Sequence, residues 1–303
     1  MYQKSLSVLF FAVCSSFYGA DAQSPAPGEL QISELLFDPQ PGGKDFIELY
    51  NASARTLELR GLVLYNTAKE GYSTRESSIK VSCLLPPGQW IALTPDTADL
   101  RRRYPLARAG NLFPNALPTL DPDAGNLTLL HAGIRLDNFD YQSDMHHPLL
   151  KNRRGVSLER LSLERPAADR QNWHSAAGDR GYATPGARNS QGDQGRGKTP
   201  FFKLPEVLFS PDGDGYQEAM ALQYETDAPG YAATILIFDA QGRTVRRLVH
   251  RDLLGAQGSY TWDGLDAEGR LVPVGLYVIW IEYVHPEKQV APQTLTCVRA
   301  KKL

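Results

Sequence analysis

The sequence predicts an all-β protein of two domains, and three observations predict it. Apolar positions alternate with period two along most of the chain, the spacing of strands with one buried face. Gly, Pro and Asn interrupt these runs at short intervals, which argues for a sandwich or a barrel. A Gly-rich polar stretch, NSQGDQGRGKTP (189–200), offers little to a core and divides the chain in two.

The first 22 residues read as a secretory signal peptide. Lys4 supplies a positive start, Leu6 to Val13 an apolar stretch, and Ala20-Asp21-Ala22 a small-residue cleavage site before Gln23. That apolar run falls short of the ~18 residues of a membrane span, and no later stretch comes closer. The expected location is therefore outside the cytoplasm, in the periplasm or at the cell surface. A formal net charge of −2 provides no footprint for nucleic acid or an anionic membrane. Of three cysteines, Cys83 and Cys297 survive cleavage. Each lies in an apolar strand-like run, IKVSCLL and TLTCVRA, in a different half, so two buried free thiols are expected before a disulfide.

In DFIELYN, Phe46, Glu48 and Tyr50 face one way and Ile47 and Leu49 the other. LELRGLVLYN, QWIALT and NLTLLHAGIRLDNFDY repeat the scheme, the last with a turn at Ala132-Gly133. The one helix expected is TPDTADLRRRY, capped by Thr94, with Pro95 at its first position and Pro105 as its stop. KNRRGVSLERLSLERPAADR, which mixes Arg153, Arg154, Arg160 and Arg165 with Glu159 and Glu164, reads as a strand pair with a charged solvent face. The expected division is a first module over 28–189, a flexible linker over 190–202 and a second module over 203–303.

The first module resembles the lamin-tail domain, an Ig-like β-sandwich. The match runs through ISELLFDP (32–39), DFIELYN (45–51), LRGLVLYN (59–66), LPPGQWIAL (85–93) and GNLTLL (125–130), then GVSLERL (155–161), NWHSA (172–176) and GYATPGARN (181–189). Within it, Gly61 permits a corner, Trp90 and Trp173 bring large areas to bury, and Thr184-Pro185-Gly186 turns the chain. The second module resembles the FlgD-type Ig-like domain and the C-terminal domains of gliding-motility-associated proteins. FSPDGDGYQE (209–218), ILIFDAQGRTVRRL (235–248), YTWDGLDAEGR (260–270) and VPVGLYVIWIEY (272–283) carry that resemblance, with Trp262 and Tyr277 expected in the core. Such terminal domains often serve as an address for type IX secretion machinery, which the resemblance implies as a partner. The closing stretch VHPEKQVAPQTLTCVRAKKL is longer than the family's usual last strand.

Asp212, Asp214 and Glu218 in PDGDGYQE are the candidate metal ligands, three oxygen donors spaced by glycines as calcium prefers. The competing reading is an Asp/Gly turn held by its own side chains. Asp121-Pro-Asp123 repeats the idea as a plain turn, and His146-His147 in DMHHPLL reads as a solvated loop. Glu34, Asp38 and Glu48 are candidates for a shared carboxylate cluster. GxSxG and HExxH are absent, and neither mature cysteine has a setting that favours a thiolate. No catalytic residue or cofactor is expected beyond the candidate calcium. The expectation is a non-enzymatic exported protein whose first module binds a protein, glycan or matrix component while the second exports, anchors or spaces it. The alternatives are a small or accessory hydrolase, a nuclease-associated protein, or a nucleic-acid-binding module.

Overall fold

The computed structural model describes residues 23–68, 74–192 and 200–301; the expected signal peptide, 1–22, lies outside them. In the first module the strands are β1 (Leu30–Leu36), β2 (Phe46–Asn51), β3 (Leu57–Glu58), β4 (Leu62–Ala68), β5 (Thr74–Ser78) and β6 (Leu84–Leu85). They continue with β7 (Trp90–Thr94), β8 (Leu112–Pro114), β9 (Ala124–His131), β10 (Ile134–Gln142), β11 (Leu158–Arg160) and β12 (Trp173–Ser175). A six-stranded sheet, β12-β11-β1-β2-β7-β8, faces a four-stranded one, β10-β9-β4-β5. Between them pack Ile32, Leu35, Ile47, Leu49, Leu64, Leu127, Leu129 and Trp173. The period-two alternation thus delivers one face of each strand to a common core. Trp173 stacks on Phe139 with ring centroids 3.7 Å apart, and Ala132 (φ 49) and Gly133 (φ 77) make the expected β9–β10 turn.

The second module comprises β13 (Phe201–Lys203), β14 (Leu208–Phe209), β15 (Met220–Glu225), β16 (Ala232–Asp239), β17 (Thr244–Leu253), β18 (Gln257–Trp262), β19 (Gly275–Val284) and β20 (Gln293–Arg299). A three-stranded sheet, β13-β15-β18, packs on a five-stranded one, β14-β20-β19-β16-β17. Trp262 and Tyr277 meet edge to face at 5.1 Å inside this core. The cysteines are both free and buried, Cys83 in the first core and Cys297 in the second. Burial pushes each thiol up to about 12, which disfavours the thiolate at neutral pH.

The helix α1 (Thr97–Arg103) is present, but its cap is Asp96, whose carboxylate accepts from the Ala98 and Asp99 N–H groups. Thr94, expected as the cap, is the last residue of β7 and donates to Asp45 O at 2.9 Å. Leu100 and Tyr104 lie against Leu36, Phe46, Ala92 and Ala183, covering one end of the six-stranded sheet's outer face.

The expected linker begins inside a contact. Gln191 is 2% exposed and donates to Ser175 O at 3.1 Å and to Leu254 O at 3.0 Å, bridging the two modules. Ala256 N donates to Ser190 O at 2.8 Å, and Phe201–Lys203 at the far end is already strand β13. The polar composition reads as solvated in sequence, yet these amides find buried partners. Of the expected linker, residues 193–199 lie outside the described ones.

Candidate functional site

The outer face of the six-stranded sheet holds the unusual chemistry. Glu34 on β1 stands in register with Glu159 on β11 and with Glu48 on β2, so three glutamates form a row across three adjacent strands. All three are 0% exposed. The segment 182–191 lies over them as a strap. Thr184 N donates to Glu34 Oε1 at 2.9 Å, Gly186 N to Glu48 Oε2 at 2.6 Å, and Gln191 N to Glu159 Oε2 at 2.8 Å. Ser157 donates to Glu34, and Ser190 Oγ to Glu159 Oε2 at 2.8 Å. The Thr184-Pro185-Gly186 turn makes this approach possible. Gly186 has φ 78, and a Cβ there would meet Arg108 O at 2.9 Å.

Proton counting fixes part of the row's charge state. Thr184 Oγ1 lies 3.0 Å from Glu34 Oε2 and 2.8 Å from Glu159 Oε1. One hydroxyl proton cannot serve two carboxylates linearly, so a protonated carboxyl completes the bridge. Burial, then the charge of Glu159, raises Glu34 to about 8. Burial and the charge of Glu34 drive Glu48 well upward, and burial also raises Glu159. Glu48 Oε1 has no hydrogen-bond partner among the described residues. The row is sealed from solvent.

Sequence reasoning placed Glu34 and Glu48 together but chose Asp38 as the third member. Asp38 instead pairs with Arg154 at 3.7 Å, and Glu159 completes the row. Glu159 and Arg160 are buried where a solvent face was expected. Arg160 reaches Asp137 at 3.0 Å and Ile32 O at 3.2 Å. The available signal was a glutamate next to an apolar strand residue, in SELL, IELY and LERL alike; what covers it is not local information.

Beside the strap the same face is open. Tyr50 and Trp90 are register partners on β2 and β7, with rings 4.9 Å apart and tilted by 43°. They line a cleft of about 800 Å³ with Gln31, Arg160, Glu164 and Arg188. A cavity of about 360 Å³ shares Trp90, Arg188, Asn189 and Gly192 with it and adds Arg108 and Arg180. Trp90 is half-buried here, not sunk in the core, because its β7 position faces away from the opposing sheet.

Asp212, Asp214 and Glu218 do converge, one oxygen from each lying within 4.8 Å of the others. Those carboxylates also hold the loop. Glu218 accepts from Gly213 N at 3.0 Å and Gly215 N at 2.8 Å, and Asp214 accepts from Tyr216 N at 2.8 Å. Asp121 makes the expected turn, accepting from Asp123 N at 2.8 Å. The His146-His147 loop is not solvated. His146 Nδ1 contacts Ser175 Oγ at 2.9 Å, and His147 Nε2 contacts Gly230 O of the second module at 3.1 Å. Burial lowers His146 to about 4 and lowers His147, so both rings are held towards the neutral form, His146 packed within the first module and His147 at the contact with the second.

The fold and face define an all-β protein of two Ig-like sandwiches in polar contact. Residues 23–143 match the family model of the Lamin Tail Domain, and residues 210–286 that of the FlgD Ig-like domain. No curated protein matches the chain significantly. Among solved structures, dimeric latent PorU from Porphyromonas gingivalis aligns at 11% identity and TM-score 0.27, over 86% of this chain and 18% of that one. PorZ from the same organism, described as an essential surface component of the type-IX secretion system, aligns at 10% identity and TM-score 0.24, over 88% and 38%. The chain thus spans well under half of either. No helix among the described residues is long and apolar enough to cross a membrane.

Proposed function

We propose that this is a non-enzymatic exported envelope or cell-surface protein. Its lamin-tail module binds a ligand, and its FlgD-type module anchors or spaces it. One contrast supports the reading. The row of Glu34, Glu48 and Glu159, whose proton affinity burial raises, is sealed under the strap, whereas the groove beside it is open and lined by aromatic and polar groups. Acid–base chemistry needs the first kind of group at a solvent-facing cleft; binding needs only the second.

Fractionation of producing cells, followed by protease treatment of intact cells, tests the location. The expected chain begins at Gln23 and is found in the envelope or outside the cell. An unprocessed chain confined to the cytoplasm overturns the proposal.

A further inference from the structure

We propose that the groove running past Tyr50 and Trp90 binds an acidic oligosaccharide, an inference that rests on reading the first module as a binding module. The two cavities share Trp90 and Arg188, so they form one groove on the outer sheet face. Along its middle, Tyr50 and Trp90 present a joint aromatic wall, their rings 4.9 Å apart. Such amphipathic rings suit a ligand with an apolar C–H face and a hydroxylated edge, as a sugar ring has. Gln31 lies at that edge, its Nε2 donating to Gly28 O at 3.0 Å.

The sign of the ligand follows from the arginines. Arg108 and Arg180 are exposed on the wall of the smaller cavity. Arg108 makes no side-chain hydrogen bond or ion pair among the described residues, and Arg180 stands 4.0 Å from Asp179. Among the described residues, Glu164 is the one carboxylate on the groove wall, and it lines only the larger cavity. Guanidinium groups pair with carboxylates in two-pronged hydrogen bonds, so a uronic-acid unit fits the arginine end and uncharged sugar the aromatic wall. A single nucleic-acid strand is the rival occupant, since it too takes stacking rings and positive charge. The observations favour sugar. The two aromatic rings contact each other, leaving no slot for successive bases.

Titration calorimetry of the full mature chain decides it. The probes are hexasaccharides of galacturonate, alginate and hyaluronan, neutral cellohexaose and chitohexaose, and oligo-dT. At least one acidic hexasaccharide is expected to bind with Kd at or below about 1 mM, weakening as salt rises. Trp90→Ala should weaken it about tenfold or more, as loss of a central aromatic anchor does. Arg108→Gln, on an exposed side chain that leaves folding intact, should weaken binding and flatten its salt dependence. Absence of binding by every acidic probe, stronger binding of oligo-dT or of the neutral sugars, or an unchanged Kd in Arg108→Gln overturns the inference. None of these outcomes bears on where the processed chain resides, so the broader reading stands or falls separately.

Discussion

Tyr182 of the first module donates its hydroxyl to Asp252 of the second at 2.7 Å, and Tyr260 donates to the other oxygen of the same carboxylate at 3.0 Å. Burial raises Asp252 despite these two donors, so the carboxylate depends on both. Gly178 closes the contact, since a Cβ there would overlap Asp252 Oδ1. Together with Gln191 and His147, this makes a docked pair of sandwiches.

Tyr182→Phe should therefore cost about 1–3 kcal/mol, the penalty of leaving a buried acceptor short of a donor. Thermal unfolding of the full chain reads it, and the loss should fall on the cooperativity between modules. A single unchanged transition would show that the contact carries no coupling.

A protease site inserted within 193–199 offers a second reading of the same interface. After cleavage the fragments should co-elute in gel filtration, held by the bonds of Tyr182, Gln191 and His147. In a Tyr182→Phe, Gln191→Ala background they should separate. Immediate separation of the unmodified fragments would mean that the chain connection alone keeps the modules together.

Trp262→Ala should cost roughly 3–5 kcal/mol, the range for truncating a large buried ring. Trp262 is 0% exposed, meets Phe209 at 5.3 Å and Tyr277 at 5.1 Å, and donates Nε1 to Leu265 O at 2.9 Å. Denaturant melts of the purified variant measure the loss. A midpoint within error of the parent would contradict this packing.

The glutamate row sets a pH dependence of definite sign. Burial raises Glu34 from 4.5 to about 8, so between those values the folded state holds protons that the unfolded chain has released. Stability should fall as pH rises through that window and be least affected by the row below it. Glu48→Gln keeps a neutral, similarly shaped group and should flatten the decline while changing little at pH 4. A stability curve that rises between pH 5 and 8 in the parent and not in Glu48→Gln would reverse the sign and remove the row from the account.

Much of this fold is legible in the chain because alternation and turn residues are local. Phe46 to Tyr50 announces a strand whichever sheet receives it, and Ala132-Gly133 announces its turn. What covers each outer face is a tertiary matter. Nothing local to Glu48 announces its burial; the turn at Pro185 lays Gly186 over it from more than a hundred residues later in sequence. Arg160, His146 and Gln191 are read as solvated for the same reason: each is polar, and each is buried by a partner from elsewhere in the chain. The helix cap is a nearer miss. Asp96 outcompetes Thr94 because β7 runs through Thr94 before the helix starts. The Tyr50–Trp90 cleft is not legible in the sequence because a large aromatic in a strand normally signals core.

The loop PDGDGYQE separates a metal site from a self-supporting turn. Its oxygens converge within 4.8 Å, yet Glu218 spends both carboxylate oxygens on the Gly213 and Gly215 N–H groups, and Asp214 accepts from Tyr216 N. Ser210 Oγ adds a donor to Asp212 at 2.9 Å. These bonds satisfy the loop without an ion, so calcium should leave the melting temperature of the full chain unchanged. Asp214→Asn should be nearly neutral, because Asn makes the same turn, while Glu218→Ala should cost about 0.5–2 kcal/mol with or without calcium, as loss of a side-chain cap does. A calcium site predicts otherwise. The ion would then raise stability by about 2.7 kcal/mol at a hundredfold excess over Kd, and Asp214→Asn would abolish that gain. Calorimetry in calcium and then in chelator distinguishes the two, and a calcium-dependent shift lost in Asp214→Asn would replace the turn with a metal centre.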